Sequence, residues 1–177
     1  MYVSFPDLAN ESLALRAWSA GDVDVLVRAG NDPELRARLG VPDPYTPADA
    51  HEYVALCAAG WVTGEQCTFA VIERATGEVV GSVRVGPAPG GATAGYWTAP
   101  WARGRGVAPG ALGLVTEWAL GNGFPQVRLY VEPDNVASQR VAAKALYRRD
   151  ERGVFLDPEG APGDLVYVSS MPDREDG

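Results

Sequence analysis

Hydrophobic and polar positions alternate over Leu13-Ala14-Leu15-Arg16-Ala17-Trp18, which predicts a first strand. The period then lengthens. Ser19 stands where it would cap a helix, with Asp22 in the first turn and Val23, Leu26 and Val27 on one face. Asn31-Asp32-Pro33 ends that helix and opens a short one over residues 34–39. After the loop Gly40-Val41-Pro42-Asp43-Pro44-Tyr45, Thr46 caps a third helix with Pro47 at its first position and Asp49 in its first turn. This helix carries Tyr53, Val54, Leu56 and Cys57 and is expected to stop near Gly60. The period shortens to two over residues 68–73, 78–86 and 92–98, three strands of a meander with turns at Thr76-Gly77 and Pro87-Ala88-Pro89-Gly90-Gly91. Val107, Ala111, Leu114, Val115 and Trp118 then recur at helical spacing, up to a stop signal at Gly121-Asn122-Gly123. Residues 126–131 predict a strand with Val127, Leu129 and Val131 on one face and Arg128, Tyr130 and Glu132 on the other. Pro133-Asp134-Asn135 breaks it, and a helix follows from Val136 to about Tyr147. Val154-Phe155-Leu156 and residues 165–168 read as a closing strand pair.

This order makes an α/β protein with a mixed sheet. The strand ending at Thr98 and the strand starting at Gln126 are joined by a helix, so they are expected to lie parallel through a right-handed crossover. The 177 residues read as a single domain with its core over about 13–169, and with 1–10 and 171–177 as terminal arms.

Composition narrows the function. The net charge of −8 argues against a general nucleic-acid binder, which needs a basic stripe. No apolar run approaches the roughly 20 residues that span a bilayer, and the first residues carry no basic and apolar signal pattern. A cytoplasmic protein without nucleic-acid or membrane partners is therefore expected. Its two cysteines, Cys57 and Cys67, are read as reduced thiols. The single histidine, His51, has no cluster of ligands around it in sequence, so no metal site is expected. An arginine-rich chain with Lys144 as its only lysine points to a GC-rich bacterial genome.

The chemistry concentrates after the third meander strand, in Arg103-Gly104-Arg105-Gly106-Val107-Ala108. A strand feeding a glycine loop at a helix start presents free N–H groups and the positive end of the helix dipole. Glycines 104 and 106 let a phosphate approach the backbone, and Arg103 and Arg105 are expected to add charged donors. The natural guest is the pyrophosphate of a nucleotide-like cofactor. A dinucleotide fold is the poorer reading, because the third glycine is missing and the loop follows the fourth strand instead of the first.

Gly95-Tyr96-Trp97 precedes this loop, and Val131-Glu132-Pro133-Asp134-Asn135-Val136-Ala137-Ser138 follows it. With Leu15-Arg16-Ala17-Trp18 and Asn31-Asp32-Pro33-Glu34, these segments resemble the GNAT N-acetyltransferase superfamily from Leu13 to Val168, and within it the branch that acetylates N-terminal alanine of ribosomal proteins and other amines. The resemblance implies the GNAT fold: a mixed, mostly antiparallel sheet flanked by helices, with a parallel strand pair that splays apart beyond Trp97 and Thr98. It implies acetyl-CoA as cosubstrate, with Trp97, Thr98 and Ala99 along the pantetheine arm and the N–H groups of Gly104 to Ala108 on the pyrophosphate. Asn135 would bond the arm, Ser138 would lie near the sulfur, and a backbone N–H near Thr98 would receive the oxyanion. Homodimers are frequent in the family, so a homodimer belongs to this expectation.

The implied reaction is attack by a neutral primary amine, on a peptide N-terminus or a small molecule, at the thioester carbonyl. Relatives often supply the acid from a tyrosine where this chain has Ala142, so Ser138 becomes the candidate acid. They often place a glutamate where this chain has Thr93, which leaves Glu132 as the candidate base, with Tyr96 nearby in sequence. They usually close the last helix with Leu-Gly-Phe, which stands here as Ala145-Leu146-Tyr147 and removes the glycine of a left-handed cap. Those departures leave a second reading open, a module that binds acyl-CoA with weak or no turnover.

Overall fold

The protein is described by a computed structural model over residues 5–151 and 163–170. Eight strands form one sheet among these residues: β1 (Leu8–Ala9), β2 (Leu13–Ala17), β3 (Cys67–Glu73), β4 (Val79–Ala88), β5 (Gly91–Thr98), β6 (Gln126–Val131), β7 (Arg148–Arg149) and β8 (Leu165–Ser170). Their order is β1-β2-β3-β4-β5-β6-β8-β7. Every neighbouring pair is antiparallel except β5–β6. The helices are α1 (Val23–Gly30), α2 (Pro33–Leu39), α3 (Pro47–Thr63), α4 (Val107–Gly121) and α5 (Val136–Lys144).

Side-chain alternation sorts the two faces of the sheet. Phe69, Val83, Val85, Val127 and Leu129 point toward Ala111, Leu112 and Val115 of α4 in the main core. Ala70 packs in a second cluster with Trp18, Tyr45 and Cys57, the last from α3. Ser82 and Trp97 sit opposite each other on the strands that carry this second face. The neighbours Tyr96 and Trp97 therefore look to opposite sides of β5.

The parallel pair opens earlier than expected. β5 and β6 pair only at Ala92↔Val127 and Thr93↔Arg128, so the strands part just past Thr93, well before Trp97. Beyond that point the facing edges of both strands lack a ladder partner in each other, and the sheet has a gap in its middle.

Several boundaries also move, each for a local reason. Ser19 opens a 3-10 turn (Ala20–Asp22) ahead of α1. The buried Asp22 carboxylate accepts from the Ser19 N–H and hydroxyl, both at 2.8 Å, so the cap works in the reverse sense. α2 starts at Pro33, because Asp32 caps it through the Leu35 N–H at 2.9 Å. α3 runs past Gly60 to a left-handed Gly64 (φ 75°). Gly60 is needed for contact instead, since a Cβ there would sit 2.5 Å from the Gln66 carbonyl oxygen.

The last helix ends at Lys144, not near Tyr147. Leu146 takes the left-handed conformation (φ 63°) without being glycine. The Tyr147 N–H donates to the Ala142 carbonyl at 3.0 Å and the Leu146 N–H to the Ala143 carbonyl at 3.1 Å, a complete helix-stop motif. The missing glycine thus changes the strain of the cap and not its geometry. Tyr147 is buried and bonded to Thr116. β8 matches the expected final strand and lies between β6 and β7, antiparallel to both. The expected strand at Val154-Phe155-Leu156 lies outside the described residues. Both thiols are free, and burial pushes both above their ordinary value. Trp61 is a core residue whose indole N–H donates to the Thr68 carbonyl at 3.0 Å.

Candidate active site

The Arg/Gly loop is shaped by its backbone. Gly104 and Gly106 hold φ of 76° and 79°, and a Cβ on either would meet nothing within 4 Å. The glycines are there for conformation, with open space in front of them. Gly106 caps α4 without a side-chain hydrogen bond. Among the described residues the N–H groups from Arg105 to Ala108 donate to no protein acceptor, and Pro109 brings none. Unpartnered donors converge at the positive end of a 15-residue helix.

The two loop arginines differ from the expectation that they offer free donors. Arg103 bonds Asp32 at 2.7 Å and Glu34 at 3.0 Å. Arg105 is paired with Glu73. The Asp32 carboxyl is held below its usual range, first by the Leu35 N–H and then by Arg103. These pairs tie the loop to the start of α2 and to β3.

The loop forms one wall of a cavity of about 380 Å³. Trp97, Thr98, Arg103, Gly104, Gly106, Val107 and Ala108 line it, as do Asn135 and Ser138 at the start of α5. Arg105 lies in a neighbouring groove beside Glu73 and Ser12. Ala99 is fully buried, and its N–H donates to the Val80 carbonyl at 2.9 Å. Successive N–H groups of an extended chain point to opposite edges, so the Thr98 N–H is turned toward the gap facing β6. Arg140 and Lys144 of α5 also line this cavity and add positive charge to it. The sequence reading missed these two, although their spacing of four on a helix that also presents Ala137 and Val141 was the available signal.

A second cavity, of about 600 Å³, shares Tyr96, Trp97, Asn135 and Ser138 with the first and adds Tyr53, Ser82, Arg84, Tyr130 and Glu132. The two spaces meet at the gap between β5 and β6. At the junction the Tyr96 hydroxyl donates to Ser138 Oγ at 3.0 Å. The Asn135 side-chain oxygen accepts the Ser138 N–H at 3.0 Å, so the helix start is capped by Asn135 and the serine hydroxyl is not needed for that purpose. Burial raises the Tyr96 phenol, and the bond to Ser138 and the charge of Arg38 offset this only in part. Glu132 is exposed and bonded to Arg38 at 3.1 Å, at the mouth of the larger cavity. Tyr96 and Ser138 are brought together, and Glu132 stands apart from them. Ala142 and Thr93 are buried.

The fold has close relatives in shape. A candidate ribosomal-protein-serine acetyltransferase from Vibrio cholerae superimposes with a TM-score of 0.78 at 21% identity, covering 93% of this chain and 97% of that one. An acetyltransferase from Agrobacterium tumefaciens gives 0.74 at 26% identity, with 97% and 98% covered. Mycobacterium smegmatis RimJ, solved in complex with CoA-disulfide, gives 0.73 at 22% identity, with 90% and 82% covered. No curated protein matches the chain in sequence. A family model described as the acetyltransferase (GNAT) domain matches residues 12–147, which include the split strand pair, the glycine loop and Ser138. With that match laid over an open strand pair and a cradle of unpartnered amides, the chain belongs to the GNAT family of acetyltransferases.

Proposed function

We propose that this enzyme transfers the acetyl group of acetyl-CoA to a primary amine, on a peptide N-terminus or a small molecule, by direct attack on the thioester. The observation that carries the reading is the Tyr96–Ser138 hydrogen bond between two residues that line both cavities. The smaller cavity fits the cosubstrate: its loop offers N–H donors that have no protein acceptor among the described residues, and Arg140 and Lys144 line the same space. The likeness to a RimJ structure holding CoA-disulfide supports the same assignment.

When bound, acetyl-CoA supplies an activated acyl carbon. The protein residues then have three tasks. The amides from Gly104 to Ala108 hold the pyrophosphate, and Asn135 offers its side-chain NH2 to the arm. The Thr98 N–H, aimed into the gap, stabilises charge on the carbonyl oxygen. Ser138 accepts a hydrogen bond from Tyr96, so its own proton is free to go to the departing sulfur, and Tyr96 can replace it. The proton shed by the amine leaves through the larger cavity, whose mouth carries Glu132. The acceptor belongs to the class acetylated by the ribosomal-protein branch that the sequence resembles, in keeping with the fold's likeness to a candidate ribosomal-protein-serine acetyltransferase.

The test is calorimetry with acetyl-CoA followed by thiol release over a panel of amines and short peptides. The reading expects binding and acceptor-dependent release. Binding with no release on any acceptor would favour a non-catalytic acyl-CoA module, and absence of binding would remove both.

A further inference from the structure

Ser82, on β4, is the centre of a small hydrogen-bond network whose polarity can be worked out. Its Oγ lies 3.1 Å from the Phe69 carbonyl oxygen, 3.3 Å from Trp18 Nε1 and 3.2 Å from the Tyr53 hydroxyl. A serine hydroxyl has one proton and two lone pairs. A carbonyl only accepts, so the serine proton goes to Phe69. An indole N–H only donates, so Trp18 fills one lone pair. The remaining lone pair takes the proton of Tyr53. The Trp97 side chain, whose indole N–H only donates, also hydrogen-bonds the Tyr53 oxygen, which is then left with one lone pair and no proton to offer elsewhere.

The residue that carries this oxygen lines the larger cavity. Tyr53 and Ser82 line it together with Tyr96, Trp97 and Ser138. The ring is fixed edge-on to Trp18 at 5.8 Å, and Trp18 stacks on Trp97 at 6.0 Å. Burial pushes the phenol well above its ordinary value, so Tyr53 stays neutral over the working pH range. It is an acceptor and not a base.

We propose that Tyr53 positions the acceptor amine by accepting one of its N–H hydrogens at the phenolic oxygen. This rests on the amine-acetylating reading above. A neutral primary amine has two N–H groups and one lone pair. A donor on the protein would occupy the lone pair needed for attack, whereas an acceptor leaves it free and orients it. The Ser82 network, by drawing the Tyr53 proton away from the cavity, sets the sense that a nucleophilic amine requires.

The test uses two probes: coenzyme A, and a conjugate in which its sulfur is joined through an acetyl group to the nitrogen of glycinamide. The conjugate keeps one N–H where the amine would sit. In calorimetry the wild-type protein is expected to bind the conjugate more tightly than coenzyme A. Tyr53→Phe should cut that gain roughly 3- to 10-fold, the worth of one neutral hydrogen bond, with coenzyme A affinity unchanged. Ser82→Ala, which keeps the phenol but releases its proton, should also reduce the gain while coenzyme A still binds. A purely structural role for Tyr53 would shift both probes together. An equal gain in wild type and Tyr53→Phe, or no gain in wild type, overturns the proposal. If coenzyme A itself fails to bind the wild type, the acetyl-CoA reading falls and this one with it.

Discussion

At the scale of single residues, the direction of hydrogen bonds matters more than their number. Ser138 receives from Tyr96 and is spared from capping by Asn135, so it can act as a proton donor. Ser138→Ala should lower kcat by on the order of 100-fold while leaving acetyl-CoA affinity within about twofold, and Tyr96→Phe should do the same more weakly. Thiol-release kinetics beside calorimetry check both. Asp22 offers a pH test. Its burial acts against ionisation, but Arg16, at 2.7 and 2.8 Å, and Ser19 outweigh this and hold the carboxyl below its usual value. A carboxylate with a lowered folded pKa stabilises the protein above its unfolded pKa of about 3.9, and that contribution is lost as pH falls through the folded value. Asp22→Asn should therefore cost about 1.5–3 kcal/mol at neutral pH and flatten the acid limb of a denaturation series. An unchanged acid limb would show that the Arg16 pair does not couple to folding.

Elements show where sequence patterns can be read and where they cannot. The strands of the meander and the α4 helix were legible because period and turn residues agreed there. The end of α3 was not, because Gly60 looks like a stop but serves a close backbone approach to Gln66. The end of α5 was misread for the opposite reason: a leucine occupies the left-handed position that glycine usually fills. Leu146 is largely exposed, so its side chain contributes little packing. Leu146→Gly should raise stability by about 1 kcal/mol, read as a shift in the urea midpoint, since it relieves the left-handed strain without opening a cavity. A loss of stability would mean that the leucine packs in solution. In the glycine loop the backbone cradle was legible from spacing, but the carboxylates that hold Arg103 and Arg105 come from α2 and β3. Nothing local in the sequence links those distant partners.

At the scale of the molecule, function follows from a sheet that fails to close. Two ladder positions hold β5 to β6, and past Thr93 the strands diverge and let a cavity on the loop side meet a cavity walled by Tyr53, Arg84 and Glu132. The sequence foretold a parallel pair, and the family resemblance implied its splay beyond Trp97 and Thr98. That expectation placed the opening too far along, because pairing depends on strand direction in space and not on residue type. The second wall of the cleft, with Arg140 and Lys144, was likewise hidden until α5 was set against the loop.

The account depends on the amides of residues 104–108 gripping a diphosphate. The most direct measurement is calorimetric titration of coenzyme A into the wild type, Gly106→Glu and Gly77→Glu. The last is a control in the β3–β4 turn, which lines neither cavity, at φ 74°, against 79° for Gly106, so that backbone strain is matched. The account predicts that Gly77→Glu binds as wild type and that Gly106→Glu loses affinity on the order of 100-fold, through like-charge contact at the cradle. Wild-type affinity in Gly106→Glu would contradict it.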